Sequence, residues 1–272
     1  MRESKRPPTD HWRGPRKQRR GLRPKRPHWQ ASTSGRDGPV ILYGWHTVKA
    51  ALENPARKFH RLLATENVAR RLAEEGVKLP LAPEFVRPEA IDALAGPEAV
   101  HQGLFAEVDP LPSPHIGDLS PQGILLVLDR ITDPHNVGAI LRSAAAFAVG
   151  AIITTARNSP EASGVLAKAA SGALEYVPVV TVPNLARALE VLKDKHALVV
   201  GLDSSGEADL SALPLYAPLA LVLGAEGKGL RHLTRTSCDY VARLDLPGRI
   251  KSLNVSNATA LALHIASKTL RA

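Results

Sequence analysis

The sequence predicts two α/β bodies, the larger built on a parallel sheet. Three observations carry that reading. Short apolar runs recur after residue 123, at 124–129, 151–155, 176–180, 197–202 and 219–224. Uninterrupted runs of this length suit strands covered on both faces. Helical periodicity separates them at about 136–149, 162–174 and 184–194, and strands alternating with helices imply a parallel sheet with helices on both sides. Upstream, a smaller alternation over 39–108 is set apart by "DPLPSPHIGDLSPQG" (109–123), which holds four prolines and no apolar period.

The first 38 residues carry 12 Lys/Arg against 3 Asp/Glu, five prolines and, from the Leu/Ile/Val set, only Leu22. Such a segment buries too little apolar surface to offset ordering entropy, so a disordered basic tail is expected. The tail carries the whole net charge of +9, and the remaining chain has 23 residues of each sign. Its cations suit RNA phosphates, and Trp12 and Trp29 could stack on bases; a purely solubilising tail is the plainer reading.

Order is expected from Pro39: a strand at 40–44, a helix at 46–54, a strand at 59–65, and a helix capped by Asn67 and ended by Gly76. A helix around 88–95 and a strand at 103–108 complete this unit. The divisions expected are a tail (1–38), a substrate RNA-binding domain (39–108), a linker (109–122) and a catalytic domain (123–272). No apolar run of about 18 residues occurs, the N-terminus lacks a signal-type apolar segment, and a single cysteine, Cys238, suits a reducing cytosol as a small core residue. A cytoplasmic protein without membrane contact is expected.

Ligands of parallel α/β sheets bind beyond the carboxyl ends of the strands, where three loops carry unusual residues. In "DPHNVGAILRSAAAFAVGA" (133–151), Pro134 stops a strand, Asn136 can cap a helix, Gly138 permits close approach and Arg142 suits an anionic partner. In "LVLGAEGKGL" (221–230), Gly224, Gly227 and Gly229 surround Glu226. This is no phosphate loop, because Gly229 stands where Ser or Thr should follow Lys228. In "LDLPGRIKSLNVSNATALA" (244–262), Pro247–Gly248 turns the chain, and Ser252, Asn254, Ser256 and Asn257 crowd a helix start. Capping explains one or two of the four. Ala258, Leu261, Ala262 and Ile265 are the expected core stripe of that helix.

Taken together, Asn136/Gly138/Arg142, Gly224/Glu226/Gly229 and Ser252-Leu253-Asn254-Val255-Ser256-x-Ala258 resemble the three motifs of the SPOUT superfamily, specifically the TrmH-like RNA ribose methyltransferases. "YGWHTVKAAL" (43–52) and "VHQGLFAEV" (100–108) resemble the N-terminal domain of the RlmB-like subgroup, a ribosomal-protein-like α/β fold; the resemblance covers about residues 39–272. It implies a C-terminal trefoil knot, a homodimer with active sites near the subunit interface, and methylation of one guanosine ribose in bacterial large-subunit (23S) rRNA. S-adenosylmethionine is the implied cofactor, contacted by backbone groups of Gly224, Leu244 and Leu253. Arg142 is the implied activating group, with Asn136, Glu226, Ser252 and Asn254 positioning ribose and cofactor; no metal is implied. One residue departs from the family pattern: Asp245 stands where a proline is usual, so altered loop geometry is expected there. A tRNA ribose methyltransferase and a non-catalytic RNA-binding protein are the alternatives. A dinucleotide oxidoreductase is disfavoured, since no G-x-G-x-x-G follows the first strand.

Overall fold

A computed structural model describes residues 38–156 and 164–271. The basic tail, with Trp12 and Trp29, and the expected helix start at 162 lie outside the described residues. Those described belong to one compact unit beginning at Asp37, which contains two sheets.

The first sheet holds β1 (Val40–Tyr43), β2 (Phe59–Ala64), β3 (Glu84–Phe85) and β4 (Leu104–Val108) in the order β1-β4-β2-β3. Between them run α1 (Trp45–Glu53), α2 (Glu66–Glu74) and α3 (Pro88–Ala95). Two expectations change in detail. Thr65, not Asn67, occupies the start of α2, and makes no side-chain cap. The two-residue β3 was too short to leave a pattern. The end of α2 is as expected: Gly76 takes φ +67°, its N–H donates to the Ala73 carbonyl, and the Val77 N–H donates to Leu72, the double closure that glycine permits after a helix.

The second sheet is parallel throughout, in the order β7-β6-β5-β10-β8-β11-β9. Its strands are β5 (Ile124–Asp129), β6 (Ala151–Thr155), β7 (Val179–Val182), β8 (Leu198–Leu202), β9 (Ala208–Asp209), β10 (Leu219–Gly224) and β11 (Tyr240–Arg243). The interleaved helices are α4 (Pro134–Ala146), α5 (Gly164–Ala170), α6 (Leu185–Asp194), α7 (His232–Thr236) and α8 (Val255–Thr269). Alternate side chains of each strand serve opposite faces. Ile124, Leu126 and Leu128 join Ile140, Leu141 and Leu263 on one side, whereas Leu125 and Val127 join Leu185, Leu189 and Leu192 on the other. Both faces are therefore dry, which is why the strands read as unbroken apolar runs.

Three boundaries move. The expected strand at 176–180 begins only at Val179, because a 3-10 turn (Ala173–Glu175) precedes it and Pro178 has no N–H to give a ladder. The helix expected to reach 174 ends at Ala170. The core stripe of α8 is Val255, Thr259, Ala262, Leu263 and Ala266, and Leu261 is exposed. Thr259 can face the core because its hydroxyl donates to the Val255 carbonyl at 2.6 Å. Cys238 is half-buried against the α6 face, and burial pushes its thiol pKa up to about 12.

The two sheets meet on α5. Ala167 lies in the core of the first domain, and the Thr47 hydroxyl donates to the Ala167 carbonyl at 3.3 Å. The stretch between the domains is pinned: the Ser113 hydroxyl donates to Val179 O at 3.0 Å and accepts from Thr181 N at 2.9 Å, and Lys195 Nζ donates to the carbonyls of Gly117 and Leu119. Beneath it a buried ion pair crosses the junction. Arg57 donates from Nη2 to Glu175 Oε1 at 2.6 Å, with side chains only 3% and 2% exposed, and from Nη1 to the Asp109 carbonyl at 2.7 Å. Removing one member of such a pair strands a charge without water. Glu175→Ala should therefore lower unfolding stability by about 3–5 kcal/mol in urea titrations, and replacing both residues by Arg57→Met/Glu175→Leu should cost less than the single change. A loss under about 1 kcal/mol for Glu175→Ala would mean that the pair is not a closed, dry contact.

Candidate active site

The carboxyl ends of β5, β10, β8 and β11 lie side by side. After β5 the chain turns to α4 on one face; after β10 it turns to α7, which packs with α6 on the other. Such a divergence opens a crevice between neighbouring strand ends. Asp129, the last residue of β5, is fully buried here. Its carboxylate accepts from Arg231 N at 3.0 Å and Arg231 Nε at 2.7 Å, tying the end of β5 to the loop after β10. Asp129 and Arg231 were not among the expected site residues, although an acid closing the run "ILLVLD" was the visible signal.

The loop after β10 folds back on its own strand. Gly229 N–H donates to the Ala225 carbonyl at 2.8 Å, and Gly227 and Gly229 have φ of +72° and +60°. A Cβ on Gly224 would lie 2.3 Å from the Gly229 carbonyl carbon, so only glycine permits this closure. Beside it, Asp203 accepts from the Ser205 N–H at 2.9 Å and hydroxyl at 2.7 Å. Burial works to raise the Asp203 pKa, but those bonds, the Leu230 N–H and Arg235 hold it below the usual carboxylate value.

These loops and the segment before α8 enclose a cleft of about 450 Å³, within the range of small-molecule sites. Leu202, Leu223, Leu244, Leu246, Leu253 and Val255 give it apolar walls, and Glu226, Lys251, Ser252 and Asp203 supply polar groups. Gly224, Glu226, Leu244, Ser252 and Leu253, expected from sequence to share a site, all line it. Lys251, Leu246 and Asp203 were missed. Lys251 Nζ donates to the Leu246 carbonyl at 2.7 Å and closes the loop before α8. Asp245 does not line the cleft: its carboxylate accepts from Arg243 Nε at 2.7 Å, and its N–H donates to Asp209.

Asn254 caps α8, its Oδ1 accepting from Ser256 N at 2.9 Å and Ser256 Oγ at 2.6 Å. Its Nδ2 donates to Asn136 Oδ1 at 2.9 Å, so the first and third loops are joined by side chains 118 residues apart. Asn136 is therefore not the helix cap that its position suggested. Asp133 caps α4, accepting from His135 N at 3.0 Å, with Pro134 at the first helical position. Arg142 is also displaced from expectation. It lies about 12 Å along α4, beyond the helix's positive end, and about 240° of rotation separates it from Asn136. It is exposed, does not line the cleft, and has no hydrogen bond or ion pair among the described residues.

Family models match both domains. The model of the SpoU rRNA Methylase family covers residues 123–264, and that of the RNA 2'-O ribose methyltransferase substrate binding domain covers 41–114. The 23S rRNA (guanosine-2'-O-)-methyltransferase RlmB of Pseudomonas aeruginosa is 41% identical over 238 residues, spanning 82% of this chain and 93% of that protein. Its Escherichia coli counterpart is 38% identical over 239 residues, spanning 82% and 96%. Among solved structures, the SpoU methyltransferase AviRb from Streptomyces viridochromogenes, in complex with AdoMet, superposes with a TM-score of 0.73 at 23% identity, covering 85% of this chain and 90% of its own. A putative TrmH-family RNA methyltransferase from Porphyromonas gingivalis gives 0.70 at 26% identity, covering 84% and 89%. With its sheet, its three joined loops and both family models in agreement, this chain belongs to the SpoU rRNA methylase family.

Proposed function

We propose that this protein transfers a methyl group from S-adenosylmethionine to the ribose 2′-hydroxyl of a guanosine in 23S rRNA. The observation that carries the reading is a cleft lined by the loop after β10 and the segment before α8, with the first loop tied to that segment by the Asn136–Asn254 bond, and with a wall at Gly224 that excludes even a Cβ. The RlmB relatives named for that reaction match across both domains, which favours rRNA over tRNA. The residues present fit the cofactor: leucine walls suit an adenine, the backbone of 224–229 lines the cleft and would supply amide groups to it, and Glu226 and Ser252 offer polar partners. We assign Gly224, Leu244 and Leu253 to cofactor binding.

S-adenosylmethionine supplies an electrophilic methyl group on a sulfonium sulfur. The protein must align the ribose oxygen with that carbon and ease removal of the hydroxyl proton. In our reading, Asn136 and Asn254, locked by their mutual hydrogen bond, present amide groups of fixed orientation to ribose and cofactor. Glu226 and Ser252 position from the rim. A guanidinium is a donor-only, planar fork suited to phosphate, so we assign Arg142 to a phosphate beside the target ribose, where it lowers the hydroxyl pKa, rather than to the role of base. Because Arg142 lies off its own cleft, we infer that it serves the cleft of a second copy in a homodimer. The exposed Ile250, Leu253 and Leu261 beside the cleft support such a contact. The chain leaves β11 beyond β8 and returns through α8 to pack on α4; we take this return as the crossing of a trefoil knot. Among the described residues no helix is long and apolar enough to cross a membrane, and we place the enzyme in the cytoplasm with its rRNA substrate.

Ribose-methylation mapping of total RNA, with and without the protein, should reveal one 23S rRNA guanosine mark that depends on it. A missing tRNA mark with intact 23S rRNA would overturn the substrate assignment. Gly224→Ala should reduce S-adenosylmethionine affinity at least tenfold in calorimetric titration, since loop and strand must separate to admit the methyl group; unchanged affinity would place the cofactor elsewhere. Co-expressing Arg142→Ala with Gly224→Ala should restore about a quarter of wild-type activity, because half the dimers then hold one complete site. No recovery above the single variants would refute the shared site.

A further inference from the structure

A second cleft, of about 490 Å³, lies at the junction of the two domains and shares no lining residue with the first. The end of β1 at Tyr43 and the 95–100 segment after α3 form one side; Val165 and Lys168 of α5 and His135 of α4 form the other. Its surface combines two chemistries. Val100 is 66% exposed and Val165 is exposed, so an apolar wall stands open to solvent. Lys168 is half-buried within it. The ammonium donates to Gln102 Oε1 at 2.9 Å, an oxygen that also accepts from the Trp45 N–H at 3.0 Å. No carboxylate lies within ion-pairing distance of Lys168 among the described residues, although Glu98 lines the same cleft. Burial lowers the Lys168 pKa, which marks a charge whose hydration has been reduced without replacement by a counter-charge.

An open apolar wall beside a cation with no ion pair among the described residues suits a nucleotide, whose base has an apolar face and whose phosphate is anionic. The cleft's location narrows the choice. His135 at its edge immediately precedes Asn136, which is bonded to Asn254 at the first site. Asn254 stands between Leu253 and Val255, which line the first cleft, so the start of α4 links the second cleft to the first, and its positive end favours a phosphate. We propose that this inter-domain cleft binds a single-stranded nucleotide adjoining the target ribose, with Lys168 as the phosphate partner and Val100 and Val165 as the base-facing wall. The proposal rests on the RNA-methyltransferase reading above.

The test uses the full-length protein and an unmodified 23S rRNA transcript, with Lys168→Gln, Lys168→Arg and Val100→Asp. Val100 is too exposed for its replacement to disturb a core. Lys168→Gln and Val100→Asp should raise KM for the transcript about tenfold, with kcat and calorimetric S-adenosylmethionine affinity within twofold of wild type. Lys168→Arg should recover most of the loss. In filter binding, Lys168→Gln should reduce the slope of log affinity against log salt by about 0.7, one single-strand phosphate contact. Unchanged KM and salt slope in Lys168→Gln overturn the proposal, as does a fall in kcat alone. A wild-type enzyme that binds the transcript with a Lys168-dependent salt slope but never methylates it would refute the reaction, not the cleft.

Discussion

The buried carboxylate of Asp129 is the contact on which the rest of the methyltransferase domain depends. It sits between β5 and β10, neighbouring parallel strands that send their chains to opposite faces, and by accepting two hydrogen bonds from Arg231 it ties the end of β5 to the loop after β10. A fully buried carboxylate is tolerated only when paired and hydrogen-bonded, so the same bonds that satisfy Asp129 also fix where the loop after β10 begins. With that loop fixed, Gly224 and Gly229 can close on each other, and the wall of the cleft follows. The third loop is positioned independently, by the Asn254 cap and its bond to Asn136. The pocket is thus held by two polar links between elements distant in sequence, with leucines filling the space between.

The junction between the domains obeys similar logic. Gly138 on α4 would bring a Cβ within 2.4 Å of the Ala169 Cβ, so α4 and α5 pack nearly backbone to backbone. The first domain then borrows Ala167 of α5 for its core, and Arg57 bonds Glu175 just beyond that helix. One short helix of small residues therefore serves two cores. The arrangement makes the position of the first sheet a consequence of how the second sheet and its helices fold.

Much of this was legible in the sequence, for identifiable reasons. The parallel sheet could be read because strands dry on both faces leave unbroken apolar runs. Of the candidate site, Gly224, Glu226, Leu244, Ser252 and Leu253 line one cleft, and the signal for them was glycines and small polar residues gathered at strand ends. What escaped detection depended on tertiary partners. Asn136 and Asp133 are equally good caps in isolation; only Pro134 at the first helical position favours Asp133, and the partner that occupies Asn136 lies on another helix. Thr259 looked polar, yet its own helix satisfies its hydroxyl and frees the methyl for the core. Asp245 is bonded to Arg243, two residues before it, and to Asp209 at the end of β9, partners that its place in the sequence did not announce. Lys168 carried no motif at all, since its meaning comes from Gln102 and from having no ion pair among the described residues.

Arg142 brings these points together. An arginine fixed by neighbours within its own chain would be satisfied before substrate arrived, and its charge would be partly screened. Arg142 instead emerges from the exposed side of a rigid, closely packed helix, with its guanidinium uncommitted. Its backbone is held by the α4–α5 contact while its five donors remain available. That is the arrangement needed to meet a phosphate as a planar, permanently charged fork. The two residues divide along α4: Asn136, near the helix start, belongs to the Asn136–Asn254 amide pair, and Arg142, nearly two turns later and on another face, stays exposed and outside the chain's own cleft, as the proposed action on a phosphate requires.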